Sequence, residues 1–279
     1  MIDGVKTYGS TELTEKLQEV EDEAVFLLTI GTTETSLIEG ISGAGPSADL
    51  TEYTPASDAE FMILGEVRCC EAPAETVVGD AAAPTPARLT KAALQVSNIP
   101  FVIVDAGSKI KPDVEYVNLG SEYGRDIRTG KGVLNPLEIF ENAKDLGNEL
   151  SQRHEMLIIG ESIAAGTTTA LGVLKALGYE ANEKVSGSMP HNPHDLKSNA
   201  VNEGLEKAGI TPGEADAMQA IGAVGDPTIA AIAGIVSGTK ESSSPILPIN
   251  CKNPRAVTCA GIIMIIRINV NMNFFILKS

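Results

Sequence analysis

The sequence predicts an α/β protein built on an open, mainly parallel sheet with helices on both faces, and three observations carry that prediction. Residues 25–30 (VFLLTI), 101–104 (FVIV) and 156–159 (MLII) are continuous apolar runs, the pattern of strands buried on both faces. Each runs into a glycine flanked by an acid or a hydroxyl: Gly31 before Thr32, Gly107 after Asp105, and Gly160 before Glu161. Segments with apolar residues at helical spacing separate them, and 27 Gly with 4% aromatic residues suit a chain of many tight strand–helix turns.

In chain order, residues 11–22 are charged, with Leu13, Leu17 and Val20 at amphipathic spacing, which predicts a surface helix. The strand at 25–30 ends in Thr32, Thr33 and Glu34, at the carboxyl edge where open parallel sheets bind ligands; a helix cap is the equal alternative. Residues 41–55 read as a Gly/Pro/Ser binding loop, residues 61–64 (FMIL) as another short strand closed by Gly65, and 71–86 as a second loop. A helix follows over 87–96. The strand at 101–104 presents Asp105 at the same edge. Residues 124–132 (GRDIRTGKG) form a locally basic patch, in which Arg128 is a candidate to close over an anion and a solvated turn is the commoner alternative. A helix over 137–150 leads to the central strand.

The stretch 155–178 organises the rest. A strand, Gly160-Glu161 and a small-residue loop lead into Gly166-Thr167-Thr168-Thr169, and Ala170, Leu171, Leu174 and Leu177 continue at helical spacing to Gly178. A strand, a loop and a helix N-terminus in this order aim backbone N–H groups at one spot, which suits a phosphate; an ordinary crossover helix is the alternative. No lysine follows Gly166, so the loop is not a Walker A loop and a phosphate-loop NTPase is disfavoured. Residues 217–238 repeat the pattern: an apolar stretch with Gly222 and Gly225 feeds a helix started by Asp226 and Pro227. Gly234 inside that helix predicts close packing against a neighbour. Between them, 196–208 reads as a helix ended by Gly209, and 245–249 as a further strand.

Composition narrows the function. A net charge of −16 argues against a nucleic-acid-binding surface, so any phosphate site must rely on local donors. Cys69, Cys70, Cys251 and Cys259 form no CxxC, and the N-terminus has neither a basic nor an apolar signal region; a reducing cytoplasm is the expectation. His191 and His194 are separated by Pro193, so that segment reads as a polar loop shaping a pocket and no metal site is expected. Residues 262–279 differ in kind, rich in Ile, Asn, Met and Phe. Arg267 and three asparagines interrupt the run, which therefore does not read as a membrane span. The expected organisation is one α/β domain over 1–260 and an atypical tail over 261–279.

Five stretches, in order, resemble one family: 29–61 (TIGTTETSLIEGISGAGPSADLTEYTPASDAEF), 86–120, 124–132, 158–178 and 221–234 (IGAVGDPTIAAIAG) are similar to the archaeal-type nicotinate-nucleotide–dimethylbenzimidazole phosphoribosyltransferases. The resemblance implies a Rossmann-like sheet with a smaller helical part, usually in a homodimer, and no metal or organic cofactor. It implies transfer of ribose 5-phosphate from nicotinate mononucleotide to a benzimidazole-type base, giving α-ribazole phosphate for the lower ligand of cobalamin. Glu161 is then the candidate catalytic acid. Thr32, Thr33, Glu34, Asp105, Arg128, Gly160, Gly166, Thr167, Thr168, Gly222, Gly225 and Asp226 are the candidate substrate-binding residues. The family continues past a segment similar to Ala260-Gly261 to a glutamate motif that resembles its general base. Nothing after Gly261 here is a glutamate, so impaired turnover is expected, with a non-catalytic nucleotide- or phosphate-binding protein as the alternative.

Overall fold

The computed structural model describes residues 23–45, 47–71, 75–78, 81–187, 189, 191–239, 243–246 and 264–268, with the backbone alone at 75–78, 81–83, 243–246 and 264–268. The expected helix at 11–22, Cys251, Cys259, Gly261 and most of the tail lie outside these residues.

One sheet of six strands organises the fold. Its strands are β1 (Ala24–Ile30), β4 (Phe101–Asp105), β5 (Val117–Asn118), β6 (Met156–Ser162), β7 (Ser243–Ile246) and β8 (Met264–Ile268), in the spatial order β5-β4-β1-β6-β8-β7. The first four are parallel, and β8 pairs antiparallel with β6. Every residue of β1 is buried, as its unbroken apolar sequence requires. From β1 the chain runs to β4 on one side, and from β5 it crosses back to β6 on the other. The carboxyl ends of β1 and β6 therefore flank the point where the winding direction reverses, the place where open α/β sheets bind ligands.

Helices α1 (Thr54–Leu64) and α2 (Ala87–Ser97) cover one face, where Phe26, Leu28, Ile30 and Ile103 pack with Ala59, Met62 and Leu94. Helices α3 (Pro136–Leu150) and α7 (Pro227–Gly238) cover the other, where Val25, Leu27, Val104, Leu157 and Ile159 meet Ile139, Ala143, Ala231 and Ile235. The smaller helical part is α4 (Gly166–Ala176), α5 (His194–Ala208) and α6 (Ala217–Val224), with a core of its own around Leu171, Val201, Leu205, Ala220 and Val224.

Four expectations are corrected. Residues 61–64 are the last turn of α1, not a strand: Ala56, Ala59 and Met62 bury one helical face, and Gly65 caps the end at φ 82°. Four apolar residues in a row fit either element, and the helical spacing upstream decides. The loop expected at 41–55 gives way to a 3₁₀ turn at Ala48–Tyr53 and the start of α1. The second expected loop holds an antiparallel pair, β2 (Glu75–Val78) with β3 (Ala81–Pro84). The apolar stretch before Asp226 is helix α6, started by a capping box of Asp216 and Gln219, so Gly222 lies inside a helix.

The close packing predicted at Gly234 joins α7 to α3. A Cβ there would run into the Phe140 carbonyl and lie 2.7 Å from Ala143 Cβ, and Gly238 meets the Lys144 carbonyl in the same way. Helix propensity alone favours Ala over Gly by about 0.8–1.0 kcal/mol. Overpacking costs about 1–3 kcal/mol, so Gly234→Ala is expected to lower the thermal unfolding midpoint. A raised midpoint would show that the two helices can separate freely.

Candidate functional site

Two helix N-termini converge at the carboxyl ends of β1 and β6. Helix α4 starts without a side-chain cap, directly after Ala165, which holds a left-handed conformation at φ 64°. That conformation is strained in a residue with a Cβ, and such strain concentrates at functional sites. The N–H groups of Thr168 and Thr169 turn back to the Ala165 carbonyl, leaving those of Gly166 and Thr167 at the open helix end. Thr168 is fully buried and its hydroxyl has no hydrogen-bond partner. An uncapped, positively polarised helix end with an idle hydroxyl has the polarity and the free donors that suit an anion.

The second N-terminus is that of α7. Asp226 caps it, accepting from the N–H of Thr228 at 2.8 Å and of Ile229 at 3.3 Å and from the Thr228 hydroxyl. Its other oxygen accepts from the Thr169 hydroxyl, tying α7 to α4. Burial pushes the Asp226 carboxyl above the usual range against these hydrogen bonds.

Glu161 lies between them, at the end of β6. An added Cβ on Gly166 would sit 3.7 Å from Glu161 Oε1, so the carboxyl lies beside the first turn of α4. Burial, and then the charge of Asp226, push it up to about 8. A carboxyl so placed holds its proton at neutral pH and, once ionised, is a stronger base than an ordinary glutamate.

Sequence reasoning missed Lys197. It lies on α5, is fully buried, and its Nζ donates to Thr167 Oγ1 at 2.8 Å and to the Ser186 carbonyl at 2.6 Å. No carboxylate pairs with it among the described residues, and burial pulls it down to about 8. An unpaired lysine is costly to bury, and this one stands behind the open end of α4. Its signal in the sequence is faint: Lys197 lines up with Val201 and Leu205 on one helical face, with no acid three or four residues away. Asp58 was missed as well. It accepts from Ser162 Oγ at 2.7 Å and Thr85 Oγ1 at 2.8 Å, joining α1 to the end of β6, and burial raises its carboxyl too.

The other sequence candidates divide. Gly166, Thr167, Thr168, Glu161 and Asp226 are together. Thr32 and Thr33 are buried at the end of β1 and engaged with the 107–109 and 124–125 backbone: Thr32 Oγ1 accepts from the Lys109 N–H, and Thr33 Oγ1 lies 3.1 Å from the Arg125 carbonyl. Glu34 opens a 3₁₀ turn, 3.8 Å from Arg125. Asp105 is consumed by its own loop, accepting from the N–H groups of Gly107 and Ser108 and pairing with Lys111. Arg128 forks onto Asp126. Gly160 is interior to β6, where a side chain would strike the Phe26 ring at 2.8 Å. Gly222 faces Pro136 and Val133, and Gly225 is the extended link between α6 and α7. Among the described residues no group of three or more His, Cys, Asp or Glu is placed to hold a metal, and no helix is long and apolar enough to cross a membrane.

The comparison with known families meets this geometry. A phosphoribosyltransferase family model matches residues 75–261, including β6, the α4 loop and both helix N-termini. The chain belongs to the phosphoribosyltransferase family. Relatives of this chain include the UPF0284 protein of Methanothermobacter thermautotrophicus, 51% identical over 86% of this chain and 67% of that one. A UPF0284 protein of Methanopyrus kandleri is 39% identical over 88% and 65%, respectively. A third, of Saccharolobus solfataricus, is 42% identical over 76% and 59%. The chain thus spans about two thirds or less of these relatives' length. The solved structure of CobT from Thermus thermophilus shares the fold, with a TM-score of 0.55 at 18% identity over 77% of this chain and 59% of that one. A nicotinate-nucleotide–dimethylbenzimidazole phosphoribosyltransferase of the same organism gives 0.53 at 18% over 77% and 58%.

Two of the displaced titrations, those of Glu161 and Lys197, predict an unusual pH profile of stability. Glu161 binds its proton more tightly folded than unfolded, so its contribution is complete below 4.5 and is lost as pH rises to about 8. Lys197 binds its proton less tightly when folded, so between about 8 and 10.5 the unfolded state holds more protons and stability recovers with rising pH. These two groups together place a minimum of the unfolding midpoint near pH 8. Thermal scans from pH 5 to 10.5 should show that the falling limb is shallower in Glu161→Gln and the rising limb absent in Lys197→Met. A profile that neither substitution alters would reject both assignments.

Proposed function

We propose that this phosphoribosyltransferase moves the ribose 5-phosphate of nicotinate mononucleotide onto a benzimidazole-type base. The observation that carries the reading is the pairing of Lys197 with the uncapped N-terminus of α4: a buried cation without a carboxylate among the described residues, hydrogen-bonded to Thr167 beside two open N–H groups and the idle Thr168 hydroxyl. A phosphate monoester supplies the charge and the acceptors that this arrangement lacks. In the proposed reaction a ring nitrogen of the azole attacks C1′ and the bond from C1′ to the nicotinate nitrogen breaks with inversion. The electron pair of that bond leaves with nicotinate, and the proton on the other azole nitrogen passes to the Glu161 carboxylate. The product is an α-ribazole 5′-phosphate. The raised affinity of Glu161 for a proton suits it as acceptor.

The test is the purified chain with nicotinate mononucleotide and a panel of azoles, following nicotinate and ribazole phosphate by chromatography, with a calorimetric titration in parallel. Product that depends on both substrates supports the transfer. Tight binding of the nucleotide without product would favour a nucleotide-binding protein that keeps the phosphate cradle. Neither from a folded sample would reject both readings.

A further inference from the structure

The face of β1 and β6 turned toward α3 and α7 is apolar until its last described pair. Val25 pairs in register with Leu157 and Leu27 with Ile159, and all four belong to one core cluster. The next pair on that face is Thr29 with Glu161. Parallel neighbours in register project side by side from strands about 4.8 Å apart, so Thr29 and Glu161 leave the sheet as neighbours on the same face. One step further on is Gly31, where a Cβ would lie 2.8 Å from Thr228 Cγ2 and 3.7 Å from Ile163 Cδ1, so the first turn of α7 packs over this end of the face. Thr29 is fully buried and its hydroxyl has no hydrogen-bond partner. On its other flank is Val104 of β4, which offers none. The position calls for Val on packing grounds, and an idle buried hydroxyl there is a cost to folding.

We infer that Thr29 is a positioning residue for Glu161: its hydroxyl donates to the ionised carboxylate and fixes the carboxyl at the carboxyl end of β6. This rests on reading Glu161 as the proton acceptor of the proposed transfer. The donor is idle while Glu161 holds its proton and is used when the proton leaves, because a hydroxyl binds a carboxylate about twice as strongly as a neutral group. Among the described residues the charge that acts on Glu161 is that of Asp226 from α7, and Lys197 of α5 reaches Thr167 at the start of α4. Neither belongs to β1 or β4, and both remain in every variant compared below.

The test compares Thr29→Val, which keeps the shape and removes the hydroxyl, with wild type and with Thr29→Ser. Thermal midpoints are measured at pH 6 and pH 9, alone and in the Glu161→Gln background. Relative to wild type, Thr29→Val should be stabilised or unchanged at pH 6 and should lose ground by a few degrees at pH 9. Thr29→Ser should follow wild type, and the difference between the two pH values should vanish in Glu161→Gln. Where turnover is measurable, Thr29→Val should lower kcat by about 10–100-fold with KM unchanged, and shift the rising limb of the pH–rate profile upward. The same midpoint change at both pH values, whether or not Glu161 is present, overturns the inference. The stability arm needs no turnover, so a failure of the proposed reaction leaves it standing or falling on its own result.

Discussion

Glu161→Gln is expected to slow azole-dependent nicotinate release by about 10²–10⁴-fold, the usual contribution of a positioned general base. The substitution keeps the size of the side chain and removes its ability to take a proton. Binding of nicotinate mononucleotide should survive, because burial and Asp226 already hold Glu161 in its neutral, protonated form at pH 7, where Gln is a close mimic. The wild-type rate should climb as pH rises toward about 8, since only the ionised fraction accepts a proton, and the variant's residual rate should be flat over that range. The separation of kcat from binding is what distinguishes this role from a structural one. Wild-type kcat in the variant, with the same pH dependence, would move the proton transfer to another group. Asp58, raised by burial and hydrogen-bonded to the neighbouring Ser162, would then be the first to replace.

Strands β1, β4 and β6 were legible because burial on both faces leaves a signature that needs no partner information: unbroken apolar runs stopped by glycine. The α4 loop was legible for a related reason. Strand, loop and helix are contiguous in sequence, so Glu161, Gly166, Thr167 and Thr168 lie together whatever the rest of the chain does. Asp226 joins them from a distance, and its helix-start signal, Asp before Pro, marked it as a cap. What the sequence hid is which partners each polar side chain takes, far along the chain or close by. Asp58 and Ser162 meet over 104 residues. Asp105 looked like a ligand-edge carboxylate, but Gly107, Ser108 and Lys111 use up its oxygens within its own loop. Arg128 looked like an anion clamp, yet its nearest carboxylate is only two residues away. Residues 61–64 show the limit of local pattern, since four apolar residues carry no period of their own and only the buried face of α1 settles the matter.

Lys197 sets the second large expectation, and it is one of opposite signs. Burying an ammonium group without a carboxylate destabilises the free protein, so Lys197→Met, which keeps the apolar stem and drops the charge, should raise the unfolding midpoint at pH 7. The same substitution should weaken binding of nicotinate mononucleotide and of inorganic phosphate by about 10–100-fold, since a hydrogen bond to a charged group is worth about 1.5–3 kcal/mol. Affinity of the wild type should fall above pH 8 as the free lysine loses its proton, and binding there should draw a proton from solution, visible as a buffer-dependent calorimetric heat. The variant should show neither effect. A lysine kept for packing alone would give unchanged affinity, and one kept for its hydrogen bonds to Thr167 and Ser186 would give a less stable variant. Only a cation held ready for an anion gives higher stability and weaker binding together, because its unfavourable burial is relieved when the phosphate arrives.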